Sequence, residues 1–198
     1  LSIWQSKQIA SVIKNAVISQ HGFIENKSIR VERLNFVGRL SVEKQPSWIV
    51  DIAKKTNLPT RIIGDGILME DLQKSSKELN NLVEFLGHVS DPWEYFEDSD
   101  LLIVPSLFEG DGLVVVEAMM RGIPILLSDI PDLRRFKLPE INYCHSVDDF
   151  SRTVLSNLES LDILKVSRDI VKNVTSNRDP RFVAEQWTKF LKELRPTA

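Results

Sequence analysis

The residues best suited to chemistry lie in the stretch 105–117, where two glycines and two glutamates surround the predicted start of a helix. Gly110 and Gly112 leave backbone amides accessible there, and the positive end of the helix dipole attracts anions, so the stretch predicts a phosphate site. Glu109 and Glu117 flank this site. A carboxylate accepts hydrogen bonds from two neighbouring hydroxyls, so one glutamate can hold a ribose and the other a sugar on either side of a diphosphate. Nucleotide sugars have that shape.

A cationic segment supplies the complementary charge. Arg39 and Lys44 directly follow the first predicted strand. A guanidinium forms planar, bidentate hydrogen bonds and an ammonium acts as a mobile point charge, so together they can neutralise a leaving nucleoside diphosphate. Any one of these charged residues is more often a plain surface residue, and it is their combination that favours a binding site.

The elements that must position these residues alternate along the chain, which predicts an α/β fold with a parallel sheet of about six strands and helices on both faces. The predicted strands span residues 33–37, 61–63, 82–86, 101–104, 123–127 and 141–144. The predicted helices span residues 47–55, 69–79, 93–98, 112–121, 147–158, 162–174 and 181–194. Ligands of such sheets bind outside the carboxyl ends of the strands, so the glycine-rich and cationic segments are predicted to converge there.

Composition excludes several classes of protein. The 198 residues carry a formal net charge of −3, which gives no overall field to attract nucleic acid. The longest uncharged apolar stretch, residues 101–108, is too short to cross a bilayer. One cysteine cannot form an internal disulfide, and three histidines form no cluster at metal-ligand spacing. These features favour a reducing, cytoplasmic location.

Residues 36–44, 62–66, 83–89 and 99–129 resemble, in order and spacing, the successive motifs of the family-4 retaining glycosyltransferases, also called group 1 glycosyl transferases. The most specific part is the pair Glu109 and Glu117, the E-x7-E motif of that family. The chain looks like the C-terminal, Rossmann-like half of a GT-B enzyme. We therefore expect residues 1–22 to be a hinge or a remnant of an N-terminal domain, and residues 23–198 to form the donor-binding domain with its C-terminal helices.

The resemblance implies a role for each site residue. It places four residues at the donor diphosphate: Arg39, Lys44 and the backbone of Gly112 and Leu113. It places four at the nucleoside: Glu117 at the ribose, and Gly87, His88 and Val89 beside the nucleobase. It places three at the donor sugar: Glu109, as the catalytic residue, with Gly110 and Asp111.

The resemblance also implies the reaction and its partners. It implies transfer from a UDP- or GDP-sugar with retention at the anomeric carbon, with no cofactor and no obligatory metal. The acceptor would be a glycan or a lipid-linked molecule, bound mainly by the N-terminal domain, in bacterial surface polysaccharide synthesis. No transmembrane segment is expected, and the N-terminal half would supply any peripheral attachment to the inner face of the membrane.

Three features depart from the family pattern. Asp111 stands where the family often has an apolar residue; its carboxylate should repel phosphate, and as a helix N-cap it would occupy amides that the phosphate needs. Gln45 replaces the glycine usual after the lysine, and Pro131 and Asp132 replace a glycine-rich turn. The last two changes could reshape the acceptor side.

Rival interpretations remain open from the sequence. Asp98 and Asp100 match a metal-binding D-x-D pattern, but they lie at the amino end of a predicted strand, away from the expected site. Trp48, Trp93 and Trp187 are expected to be packing residues. The chain could also be a non-catalytic nucleotide-sugar-binding module or belong to a nucleotide-sugar epimerase.

Overall fold

The six apolar runs form one parallel sheet in the computed structural model, which describes residues 14–16 and 30–193. The strands are β1 (Arg33–Val37), β2 (Thr60–Ile63), β3 (Val83–Gly87), β4 (Asp100–Val104), β5 (Ile125–Ser128) and β6 (Tyr143–Cys144). Their order is β3-β2-β1-β4-β5-β6, the doubly wound order of Rossmann-like folds. All six predicted strands are present, and the fold class is confirmed.

The sheet is buried on both faces, as a parallel sheet covered by helices must be. Strand β4 shows this most clearly, because Leu101 and Ile103 belong to one core cluster while Leu102 and Val104 belong to the other. The central strand therefore reads as a continuous apolar run instead of an alternating one. The sequence therefore locates the strand but does not show which of its residues point to which face of the sheet.

Helices cover both faces. They are α1 (Ser47–Thr56), α2 (Met69–Ser76), α3 (Leu113–Arg121), α4 (Pro131–Arg134), α5 (Val147–Ser156), α6 (Arg168–Thr175) and α7 (Pro180–Glu193). Helices α1 and α5 pack together over one face, and α3 and α6 pack together over the other.

Three predicted helices are wrong in kind or extent. The helix predicted at 69–79 is α-helical only over Met69–Ser76 and ends in a 3-10 turn, Lys77–Leu79. The helix predicted at 93–98 is a short 3-10 helix, Pro92–Tyr95, in which Asp91 accepts a hydrogen bond from the amide of Trp93. The helix predicted at 162–174 is divided into a 3-10 turn, Leu161–Leu164, and α6. The division occurs because Ser167 is extended and its hydroxyl caps the amide of Ile170, which starts a new helix.

Predictions for the amino terminus cannot be compared in full. Apolar spacing also predicts a helix over residues 3–13, which lie outside the described residues. It predicts a short strand over 16–19, of which only Ala16 is described, and Ala16 is in neither a helix nor a strand. Most of the predicted hinge at 1–22 likewise lies outside the described residues, so that domain boundary stays a prediction.

Candidate functional site

Two loops that are distant in sequence meet at the carboxyl edge of the sheet, because β1 and β4 are paired neighbours. The sheet adds strands in opposite directions from this pair, and such a switch point is where open parallel sheets bind ligands. The backbone joins the two loops: the amides of Leu107 and Phe108 donate to the carbonyl oxygen of Glu43 at 2.9 and 3.4 Å. The glycine-rich and cationic segments therefore converge, as the sequence predicts.

A cavity of about 370 Å³ lies between the two loops. It is lined by five of the residues predicted to hold the diphosphate and the sugar: Lys44, Glu109, Asp111, Gly112 and Leu113. Gly38, at the end of β1, and Ser106, after β4, also line it. The backbone after β1 and β4 thus forms the walls of the cavity. Lys44 comes from the first of these loops and Glu109 from the second.

Lys44 and Glu109 form an ion pair inside this cavity, with 2.7 Å between Nζ and Oε2. The Glu109 side chain is only 8% exposed and that of Lys44 is 25% exposed. Glu109 also accepts long hydrogen bonds from the Gly112 amide, at 3.3 Å, and from the Ser106 hydroxyl, at 3.4 Å. These contacts fix the carboxylate beside the start of α3, where Lys44 is its one cationic partner among the described residues.

The start of α3 requires glycine. Gly112 is the N-cap and adopts a left-handed conformation with φ of +64°. A Cβ at this position would lie 2.7 Å from the ring of Phe136. The backbone therefore approaches Phe136 closely, and the first amides of α3, at Leu113 and Val114, lie on the cavity wall. Because the first amides of a helix have no partner within it, they are available to an anion.

Gln45 occupies the position where the family usually has glycine, and the structure shows why glycine is favoured there. Its φ of +48° is left-handed, a conformation that costs a side-chain-bearing residue more than it costs glycine. With its amide oriented by its partners, Gln45 donates to the Pro105 carbonyl at 3.0 Å and accepts from Trp48 Nε1 at 2.8 Å. Gln45 therefore ties α1 to the loop after β4.

The expectation for Asp111 as a helix cap is wrong. Gly112 is the N-cap, and the Asp111 carboxylate instead binds the guanidinium of Arg178 at 2.6 and 2.9 Å. The Asn15 side chain adds a hydrogen bond at 2.9 Å. These hydrogen bonds, those from Arg178 first, lower the pKa of Asp111. The carboxylate is thus turned away from the first amides of α3.

Glu117 lies within α3, and its Oε2 accepts a hydrogen bond from Trp93 Nε1 at 2.9 Å. Trp93 is buried, as predicted for a packing residue, but it also orients this glutamate. Arg121 lies over the Trp93 ring at 4.9 Å and donates to the Glu117 carbonyl oxygen. Glu117 does not line the cavity that holds Glu109.

The other predicted residues lie on the same edge but are not drawn into the cavity. The Arg39 side chain is 76% exposed and its closest carboxylate, Glu43, is 3.9 Å away. Gly87, at the end of β3, has a φ of +68°, and His88 after it is exposed. Val89 packs against the apolar core cluster that includes Trp93. Among the described residues, no hydrogen bond or ion pair joins residues 87–89 to Glu109.

Three side chains that hold the 109–111 loop were missed from the sequence. Asp132 accepts from the Glu109 amide at 3.2 Å, Arg135 donates to the Gly110 carbonyl at 2.7 Å, and Arg178 binds Asp111. The departure at residues 131 and 132 was a signal for the first of these. Arg178 gave none, because it lies 67 residues away in a polar stretch between two helices.

The D-x-D pattern is not at the site. Asp100 opens β4, at the opposite end of the strand, and is 1% exposed. Its burial raises the pKa of the carboxyl, although the Glu97 amide donates to it. Within residues 14–16 and 30–193, no group of three or more histidine, cysteine, aspartate or glutamate residues could hold a metal ion.

The fold and the site together define a doubly wound α/β domain in which a glycine-started helix borders a cavity at the switch point of the sheet. Residues 10–142 match the family model of the group 1 glycosyl transferases, and because that match covers more than half of the chain, the protein belongs to this family. Its structural neighbours are GT-B glycosyltransferases. In the described part of the chain, no helix has the length and apolarity needed to span a bilayer.

Individual relatives give the extent of the likeness. The UDP-Gal:alpha-D-GlcNAc-diphosphoundecaprenol alpha-1,3-galactosyltransferase of Escherichia coli is 33% identical over 123 residues, which are 55% of this chain and 32% of that protein. The apo lipopolysaccharide outer core galactosyltransferase WaaB is 25% identical, with a TM-score of 0.67 over 92% of this chain and 55% of that one. HepE of Anabaena, solved with UDP and glucose, is 16% identical, with a TM-score of 0.66 over 83% and 49%. The chain spans about a third of the length of the curated relatives it matches.

Proposed function

We propose that this glycosyltransferase chain binds the nucleoside-diphosphate-sugar donor of a retaining enzyme. The observation that carries the proposal is the convergence of Lys44, Glu109 and the start of α3 on one cavity at the switch point of the sheet. A cation, a carboxylate and a helix start within one small volume match the diphosphate and the hydroxyls of a nucleotide sugar.

The diphosphate would bind at the start of α3, with Lys44 and the amides of Gly112 and Leu113 as donors. As the glycosyl bond breaks, negative charge grows on the leaving nucleoside diphosphate. Preorganised donors stabilise such charge because they need no reorientation during the reaction. Lys44, the helix start and a closing Arg39 together provide positive charge at the leaving group, so the proposal assigns no role to a metal or other cofactor.

Of the two glutamates, Glu109 would contact the donor sugar and act as the catalytic residue. The backbone of Gly110 and Asp111 would lie beside it. The low exposure of Glu109 and its contact with the Gly112 amide support this role, because the diphosphate is proposed to bind at the same helix start. Retention at the anomeric carbon belongs to the proposal and rests on the resemblance to the family.

The nucleoside would lie toward α3 and the end of β3. Glu117 would hold the ribose, with its carboxylate kept in place by Trp93, and Gly87, His88 and Val89 would border the base. The UDP bound in the solved Anabaena structure supports a UDP-sugar as the donor, and UDP is the first ligand to test.

The acceptor would be a glycan or a lipid-linked molecule. The Escherichia coli relative is named for a diphosphoundecaprenol-linked acceptor, and this supports a role in bacterial surface polysaccharide synthesis. Because the chain spans about a third of that relative, we propose that acceptor binding, and any contact with the membrane, lie mainly outside the part that matches.

Calorimetric titration of the chain with UDP, GDP, UDP-glucose and UDP-galactose tests the proposal. Glu117→Gln keeps the side-chain size but removes the charge, so it should weaken UDP and UDP-sugar equally, because both contain the ribose. Glu109→Gln should not weaken UDP, because it removes the negative charge that pairs with Lys44, and it should weaken only the sugar-bearing ligands. Each charged hydrogen bond contributes about 1.5–3 kcal/mol, so the affinity losses should be roughly 10- to 150-fold.

Glu94→Gln is the matched control, since Glu94 is exposed and lies outside the cavity. Its titrations should equal those of the unmodified chain. Failure of all four ligands to bind would refute donor binding, and equal losses for UDP and UDP-sugar in Glu109→Gln would show that this carboxylate does not contact the sugar.

A further inference from the structure

A partly buried ion pair beside the donor loop joins three distant parts of the chain. Arg178, between α6 and α7, is 3% exposed and donates to both carboxylate oxygens of Asp111. It also donates to the Asp111 carbonyl at 3.4 Å and to the Asn15 carbonyl at 3.2 Å. Asn15 in turn donates to Asp111 from its amide side chain.

The position of Asp111 makes this pair relevant to the ligand. Asp111 lies directly before Gly112, the residue that starts α3, and it lines the 370 Å³ cavity. Aspartate at a helix start ordinarily accepts hydrogen bonds from the first helical amides. A carboxylate left free here would compete with a diphosphate for those amides and would repel it.

Arg178 does not line the cavity beside β1 and β4. It lines a second, larger cavity of about 530 Å³ together with Arg135 and Phe136, and Asp111 borders both cavities. Arg178 therefore has no described contact with the proposed donor except through Asp111.

We infer that Arg178 is a positioning residue of the donor site, which neutralises Asp111 and holds its carboxylate away from the phosphate-binding amides of α3. The inference rests on the proposed function and extends it, because it assigns a role to a residue outside the family's motif. It also explains how this chain carries aspartate at 111, where the charge would otherwise oppose the ligand. Arg135, which holds the Gly110 carbonyl, supports the same loop from its other side.

The experiment is calorimetric titration with UDP of a set of variants of the whole chain, with thermal unfolding of each. Arg178→Met should weaken UDP binding at least about tenfold, because it leaves the Asp111 carboxylate with only its hydrogen bonds from Asn15 and an unneutralised charge beside the start of α3. Adding Asp111→Leu to Arg178→Met should return the affinity to within about threefold of the original, because the opposing charge is gone. A side chain that served folding alone would not be rescued in this way.

Arg181→Met is the matched control. It removes the same charge three residues further along the chain, and the Arg181 side chain is 92% exposed. It should leave UDP affinity unchanged. If Arg178→Met does not fold, the double variant carries the test, because it leaves neither charge of the pair and should both fold and bind UDP.

The outcomes separate the two ideas. No UDP binding by the unmodified chain would refute the proposed function and this inference with it. Binding by the unmodified chain, with no loss in a folded Arg178→Met or with a loss that Asp111→Leu does not reverse, would overturn the inference alone. A double variant that neither folds nor binds would also overturn it, since Arg178 would then be needed for some reason other than Asp111.

Discussion

Breaking the ion pair between Lys44 and Glu109 should cost the fold more than an ordinary surface pair would. Exposed pairs contribute about 0.2–1 kcal/mol, whereas removing one member of a fully buried pair costs about 3–5 kcal/mol. Glu109 is 8% exposed and Lys44 25%, so this pair lies between the two limits. We expect Lys44→Met to lower the free energy of unfolding by about 2 kcal/mol.

The two single variants should differ. Lys44→Met leaves a buried carboxylate with two long hydrogen bonds, to the Gly112 amide and the Ser106 hydroxyl. Glu109→Gln leaves an ammonium that water can reach, so its cost should be smaller, about 1 kcal/mol. The double variant should be about as stable as Glu109→Gln alone, because the cost of Lys44→Met comes from the carboxylate that it strands.

Urea unfolding followed by tryptophan fluorescence measures these free energies. Lys55→Met is the matched control: its partner is Asp148, at a similar distance of 2.9 Å, but both side chains are at least half exposed. It should change stability only slightly. A loss in Lys44→Met no larger than in Lys55→Met, or losses that simply add in the double variant, would show that Glu109 does not depend on Lys44.

Two further predictions concern charge at opposite ends of the sheet. Lys44→Ala should weaken UDP binding on the order of 10- to 100-fold, and Arg39→Ala by less than tenfold, because Lys44 lines the cavity and Arg39 is 76% exposed. Calorimetry at low and high salt should show that the effect of Arg39→Ala fades as salt screens the charge. A larger loss of UDP affinity for Arg39→Ala than for Lys44→Ala would contradict the assignment. Asp100→Asn should raise the free energy of unfolding at pH 7. Burial raises the pKa of Asp100 in the folded state, so the unmodified chain loses stability as the pH rises from the usual pKa of an aspartate toward the raised one. Urea unfolding at pH 4 and pH 7 should show the higher stability of the variant only at pH 7.

The six strands could be predicted because each is a short apolar run bounded by turn residues, whereas their order in the sheet came from the structure. The helices were harder at positions where a local cap outweighs periodicity. Apolar spacing through residues 162–174 favours one helix, but the Ser167 hydroxyl starts a new one there. Spacing shows which face of a segment is apolar, and it gives no information about where a backbone hydrogen bond is replaced by a side chain.

The convergence of the site residues could be predicted from the rule that open parallel sheets bind ligands at the carboxyl ends of their strands. That rule brought Lys44 and Glu109 together without any contact being visible in the sequence. The partners that set the charge of the site could not be found in the same way. Arg178 reaches Asp111 across 67 residues, and Trp93 reaches Glu117 across 24, so neither pair leaves a local pattern.

The charged side chains of the site have protein partners in this structure. Glu109 holds Lys44, Arg178 holds Asp111, and Trp93 holds Glu117. A diphosphate that takes the Lys44 ammonium therefore replaces an existing ion pair, and only the difference between the two interactions adds to the affinity. Glu109, once it gives up Lys44, needs new donors, and the hydroxyls of the transferred sugar can supply them. On this argument the sugar-bearing donor gains more from the exchange than UDP does, because it satisfies both members of the pair that binding separates.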